Sequence, residues 1–236
     1  MDKRIDYKIV LDTETCPIEK SDKVSPFNML TYDIGWLVTD KQGRIYKTRS
    51  FVIYEIFIGE AEKMKSAYYT DKVPKYWDDI RSGKRQLVRF ATARRILLED
   101  MREYNVDKIF AHNMFFDYNT LNKTARWITK KYYYFFPFDI ELCDTLAMAR
   151  DVIIPKATYK KFCVDNNYLD KRGKPRATAE ILYRFISGDL DFAECHTGLE
   201  DTLIEKEIMA YCYKQHKKMR RILYKNNKKC VYEKVV

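Results

Sequence analysis

The chain contains no CxxC pair: its six cysteines, Cys16, Cys143, Cys163, Cys195, Cys212 and Cys230, are scattered along it. That spacing argues against a zinc ribbon or a small disulfide framework and fits a reducing, intracellular setting. No apolar run approaches the roughly 20 residues that span a bilayer, and the opening MDKRIDYK lacks an apolar signal region. The expectation is a cytoplasmic protein with no membrane partner. No Gly/Ser-rich linker, low-complexity tract or internal repeat divides the 236 residues, so one large domain with a sizeable core is expected.

Positive charge and aromatic rings, by contrast, are plentiful. Lys and Arg total 44 against 34 Asp and Glu, a formal charge of +10, and 15% of residues are aromatic, 19 of them Tyr. Such an excess either favours a polyanionic partner or forms a solvated basic surface. Basic and stacking groups together suit single-stranded nucleic acid.

Against this background, two acids stand out in Tyr7 to Thr15, YKIVLDTET. Lys8 to Leu11 reads as a buried strand, and Asp12 and Glu14, two residues apart, share one of its faces. Side by side they repel and lose hydration on burial, so a divalent cation is the simplest compensation. A DxE at a strand end is also commonly just a solvated turn, so the pair needs company to mean more.

Tyr32 to Thr39 and Arg44 to Glu55 read as second and third strands, joined by the turn Asp40 to Gly43 and paired antiparallel. Phe57 to Lys84 reads as a partly helical insertion. Phe90, Ala93, Leu97, Met101 and Tyr104 recur at helical spacing and predict an amphipathic helix over Arg85 to Tyr104. Lys108 to Ala111 is a short fourth strand, feeding a loop and helix. Glu141 to Cys143 is a fifth strand, with Asp144 expected to cap the helix after it. Further helices are expected from Pro155 to about Asn166, Thr178 to Ile186 and Leu199 to about Met219. The fold class that follows is α/β: a mixed five-stranded sheet, its first three strands antiparallel, with helices on its faces.

Three separated segments supply an acidic constellation: Asp12 and Glu14, then Asp117 just after the fourth strand, then His196 and Asp201 at the start of the last helix. Hard cations such as Mg²⁺ or Mn²⁺ take carboxylate oxygens, and two of them can stabilise both oxygens of a phosphodiester displacement. A neutral imidazole suits the proton transfer from an attacking water. Five residues amount to about 500° on a helix, so His196 and Asp201 cannot both be on one regular helix and meet. His196 is therefore expected in the preceding loop, with Gly198 making the break. His112 reads as a loop brace.

The segments Asp12 to Thr15 (DTET), Ala111 to Asp117 (AHNMFFD) and His196 to Thr202 (HTGLEDT) resemble the three exonuclease motifs of the DEDDh 3′→5′ exonucleases, the RNase H-like enzymes that include bacterial proofreading subunits and oligoribonuclease. Asp144 to Arg150 is similar to the stretch between the second and third motifs of the proofreading subunits. The resemblance implies an RNase H-like domain over 1–219, with an insertion at about 57–84 and a basic tail at 220–236. It implies two divalent cations, Mg²⁺ or Mn²⁺: Asp12, Glu14 and Asp201 on one, Asp12 shared, and Asp117 serving the second, with His196 as general base. Substrate contacts are expected from Thr15, Cys16, Asn113 and Phe116. Cys16-Pro17 departs from the Thr-Gly that often follows DTET in the proofreading group.

The activity implied is release of nucleoside 5′-monophosphates from single-stranded 3′ ends, DNA favoured, with a replication or repair partner as a further expectation. The alternatives are an exoribonuclease on short RNA or RNA ends, and a non-catalytic nucleic-acid-binding or polymerase-associated module. Three regions keep two readings each. The aromatic run Tyr132 to Phe138 is either core or base-stacking; Tyr68, Tyr69, Lys72, Tyr76 and Trp77 either grip a strand or pack; the tail Lys214 to Lys229 either contacts phosphates or is a solvated helix end.

Overall fold

The computed structural model describes residues 2, 4–19, 25–131 and 134–225. Tyr132 and Tyr133 of the aromatic run, Cys230 and the rest of the tail beyond 225 lie outside the described residues.

Strand β1 (Lys8–Pro17) is the middle of the sheet, flanked by β2 (Met29–Thr39) on one side and β5 (Lys108–Ala111) on the other. Its alternating apolar side chains serve two core layers: Ile9 and Leu11 pack in one, Val10 in the other. β2 is buried along its whole length and pairs antiparallel with both β1 and β3 (Ile45–Ile53). β5 and β6 (Glu141–Asp144) continue parallel to β1. These five strands are the expected set, in the order β3-β2-β1-β5-β6.

The sheet has two more strands, making seven. β4 (Gln86–Val88) pairs parallel with β3, and β7 (Ile222–Lys225) pairs antiparallel with β6. Both correct the sequence reading. The helix predicted from Arg85 is α4 (Phe90–Tyr104), preceded by β4, because the edge of β3 was open to pairing. The last helix, α9 (Gly198–Lys214), stops short of Met219: the chain turns at His216 (φ 53°), Arg220 pairs with Asp151 at 2.7 Å, and the first residues of the expected tail become a strand.

The 57–84 region is folded onto the sheet as short helices, α1 (Tyr54–Phe57), α2 (Ala61–Met64), a 3₁₀ turn (Thr70–Lys72) and α3 (Val73–Arg81). With α4 and α5 (Met114–Thr129) it covers the layer that holds Ile9 and Leu11; Phe135 and Phe136 of the aromatic run are fully buried there. The opposite layer holds α6 (Thr145–Val152), α7 (Ala157–Asp165), α8 (Ala179–Ser187) and α9. The helix expected from Pro155 begins at Ala157. Among the described residues no helix is long and apolar enough to cross a membrane.

Candidate active site

Asp12 and Glu14 lie on the face of β1 that carries Val10, and so look toward α9. The start of α9 is pressed against the sheet at a point where only glycine fits. Gly35, the β2 partner of Asp12, touches backbone: a Cβ there would lie 2.1 Å from the Leu199 nitrogen. Gly198 is constrained too, since a Cβ there would lie 2.7 Å from the Gly35 nitrogen, and it donates its N–H to Asp33 Oδ2 at 2.9 Å. This contact brings Asp201 to the strand. One carboxylate oxygen each of Asp12, Glu14 and Asp201 lie within 4.8 Å of one another.

His196 is in the loop before α9, in the left-handed conformation (φ 50°), and its N–H donates to Asp201 Oδ1 at 3.1 Å. Its ring, one-third exposed, belongs to a second set with Glu194 and Asp201, and Nδ1 is 3.7 Å from Glu194 Oε2. Burial, then the Lys72 charge, holds its pKa below the usual 6.5. The imidazole is therefore neutral near pH 7.

Asp117 arrives from the first turns of α5. β5 pairs with β1 only through Ile9 and Val10, then turns into α5 at Asn113 (φ 72°). Asp117 is buried and accepts a 2.8 Å hydrogen bond from Thr13 Oγ1. Its charge reaches Asp12, although it is outside both oxygen clusters.

Burial first, and then the neighbouring charges, shifts these acids upward. Burial pushes Asp117 up to about 7 against the Thr13 hydrogen bond, and burial with Glu194 pushes Asp201 up to about 8. Asp12 and Glu14 are raised well above the carboxylate range, by burial first and then by Glu205 and Asp201 respectively. Such crowded, desolvated oxygens match the donor chemistry of a hard divalent cation, whose charge would offset this repulsion.

Glu205, absent from the sequence reading, is the strongest charged neighbour of Asp12. It is buried, accepts from the His112 backbone N–H, and its Oε2 has no hydrogen-bond partner among the described residues. Its i+4 relation to Asp201 was the available signal. Asp33 was also missed, although a lone acid in an otherwise apolar strand carries the same message as Asp12. Asp33 Oδ2 gathers Tyr76 Oη (2.6 Å), Arg85 Nη1 (3.2 Å) and the Gly198 N–H. Arg85 is fully buried and also donates to Asp79, Ser50 and Glu200. Glu200 is held down to about 2, against burial, by Thr197, Lys84 and Arg85. The insertion is thereby bolted to the start of α9.

The four positions expected to meet substrate differ. Asn113 is exposed and Phe116 half-buried; Thr15 is nearly buried, just past a register shift between Glu14 and Thr15. The Cys16 thiol is fully buried in the core, its pKa pushed up to about 12 by burial, which leaves its backbone to face a ligand. The exposed ring beside Asp117 is Phe115, 40% accessible and edge-on to Phe27 at 6.0 Å. His112 braces the loop, its ring nitrogens 3.0 Å from Thr145 Oγ1 and 2.9 Å from the Ala177 carbonyl. Asp144 caps α6 by accepting from the Leu146 N–H, and also accepts from the Asn113 N–H. Tyr76 is structural, fully buried against Asp33.

No protein-family model matches the chain, and no curated protein matches it. Solved structures do. A full-length 3′-exonuclease superposes with a TM-score of 0.58 at 12% identity, covering 94% of this chain and 89% of the other. The nuclease domain of 3′hExo, a DEDDh family member bound to rAMP, gives 0.54 at 12% identity over 98% of this chain and all of that domain. E. coli exonuclease I with a dT13 oligonucleotide gives 0.52 at 12% identity, over 90% of this chain and 41% of that one. The chain is thus built on the RNase H-like fold of the DEDDh-type 3′→5′ exonucleases.

Proposed function

We propose that the protein is a metal-dependent 3′→5′ exonuclease that hydrolyses the terminal phosphodiester of single-stranded nucleic acid, DNA favoured, and releases nucleoside 5′-monophosphates. The observation that carries this is the convergence of Asp12, Glu14 and Asp201 oxygens beside a neutral His196. Asp12, Glu14 and Asp201 would hold one Mg²⁺ or Mn²⁺, with Asp12 shared and Asp117 serving the second. The bound ions would supply Lewis-acid charge next to the scissile phosphate and make water acidic enough to lose a proton.

The chain's own groups do the rest. Glu194 faces His196 Nδ1, which leaves Nε2 to take the proton of the attacking water. Water oxygen bonds to phosphorus as the bond from phosphorus to the 3′-oxygen of the penultimate nucleotide breaks, and that oxygen leaves as a hydroxyl after taking up a proton. Asp201 fixes the histidine through the His196 N–H, and Thr13 orients Asp117. Asn113, Phe116 and the backbone of Thr15 and Cys16 are the proposed substrate contacts. The proposal includes a cytoplasmic setting and a replication or repair partner that presents such ends. RNA is the second substrate to test, since the similar 3′hExo domain is bound to rAMP while exonuclease I is bound to a DNA oligonucleotide.

The test is incubation of 3′- and 5′-labelled DNA and RNA, single-stranded and duplex, with Mg²⁺, Mn²⁺ or EDTA. Expected is cation-dependent release of mononucleotides from the 3′ end, lost in Asp12→Asn and reduced ~10²–10⁴-fold in His196→Ala. Absence of release from every 3′ end would overturn the reading, and full activity in Asp12→Asn would overturn the site.

A further inference from the structure

A site lined by Asp12, Glu14, Asp117, Glu194, Asp201 and Glu205 has to admit a phosphate. The cation whose charge acts on Glu14, Glu194, Asp201 and His196 alike is Lys72, from the 3₁₀ turn of the insertion. Like Lys156, which donates to Tyr211 Oη and Gln215 Oε1 and stands over the Tyr211 ring, it is held by neutral groups. Lys47, Lys63 and Lys108 each pair with a carboxylate, whereas Lys72 forms no ion pair among the described residues. Instead its Nζ donates to the Cys195 carbonyl and stands 4.7 Å from the centre of the Tyr69 ring. Carbonyl and ring position the ammonium without neutralising it.

Tyr69 links this cation to the histidine. Its ring stacks on the His196 ring, 4.3 Å between centres and 11° between planes. The insertion is also anchored at its far end, by Tyr76 on Asp33 and by Arg85 on Asp33 and Glu200. Lys72 and Tyr69 are therefore held against the acids by contacts on both sides.

We propose that Lys72, positioned by Tyr69 and the Cys195 carbonyl, receives a backbone phosphate at the 3′ end of the substrate, so that the insertion forms part of the binding site. This rests on the exonuclease reading. A lysine at this point offers a phosphate a full positive charge among groups that otherwise repel it, and its three donors can leave one carbonyl and still reach an anion. The rival role is a clamp: Lys72 merely ties down the Cys195-His196 loop.

Two variants separate these roles. Lys72→Gln keeps a donor for the Cys195 carbonyl but removes the charge; Lys72→Arg keeps the charge. Binding of a fluorescent oligothymidylate is measured in EDTA across a salt series, and steady-state kinetics with Mn²⁺ are run beside it. Expected for Lys72→Gln is about tenfold weaker binding, a salt slope shallower by about 0.7 as one phosphate contact is lost, and a raised KM with kcat nearly unchanged. Lys72→Arg should recover most of the affinity and the slope. Unchanged affinity and slope in Lys72→Gln would overturn the proposal, as would a fall in kcat alone. If wild-type protein degrades nothing, the exonuclease reading fails, and the binding series still decides Lys72: a charge-dependent slope supports it, and no measurable binding overturns it.

Discussion

Stripping divalent cations from the protein and then raising the pH forces negative charge into a buried cluster with nothing to balance it. The sign follows from where each acid titrates. Asp117 and Asp201 have values near 7 and 8 in the folded chain and 3.8 as ordinary carboxyls, so folding takes up protons. Their contribution to stability is complete below the ordinary carboxylate range and is lost as pH rises toward about 8. For Asp117 alone, the loss between about pH 5 and its folded value near 7 is roughly 2 kcal/mol. In a chain of this length that corresponds to a drop in Tm of roughly 5 °C. Calorimetry in EDTA at steps from about pH 5 to about pH 8 should show the decline, and the same series with saturating Mn²⁺ should flatten it. Glu205→Gln, which removes a charge facing Asp12, should make the EDTA decline shallower. A Tm that ignores pH in EDTA, or that falls equally with Mn²⁺ present, would refute the electrostatic account of the site.

Two further substitutions test how the site is held. Gly35→Ala places a methyl 2.1 Å from the Leu199 nitrogen, against backbone that has no room to yield; urea denaturation should show a loss above about 3 kcal/mol, whereas Gly83→Asn, at a left-handed position with open space around it, should be near neutral. Arg85→Met strips Asp33 and Glu200 of a buried cation, which should cost about 3–5 kcal/mol in the same assay and release the insertion, seen as faster proteolysis near residues 65–75.

The five central strands and the acid pair of β1 were readable because burial on a sheet leaves a period and a composition: KIVL and YDIGWLVT have few other uses. The edge strands β4 and β7 were not, since three or four residues such as QLV and ILYK acquire their conformation from the neighbour they pair with. The placement of His196 before α9 and Asp201 within it followed from helix geometry alone. Glu205 was missed for a different reason: α9 carries Glu200, Glu205 and Glu207, and only the four-residue step from Asp201 marks Glu205 as the one that shares its face. Lys72 and Tyr69 were left between gripping a strand and packing because their partners, Cys195 and His196, are more than a hundred residues away. The burial of the Cys16 side chain was not legible either, since it follows from the register shift just after Glu14.

The glycine-to-glycine seam between β2 and α9 also dates the site within the life of the chain. The hydrogen bond that accompanies it joins residues 165 positions apart, so the seam closes only when nearly all the described chain is available, and such long-range closures come late and slowly. A growing chain that ends before α9 already carries Asp12, Glu14, Asp117 and His196, but not Asp201. Synthesis from the N-terminus therefore yields a sheet with an incomplete acidic cluster, and the proposed site is completed only by the docking of α9.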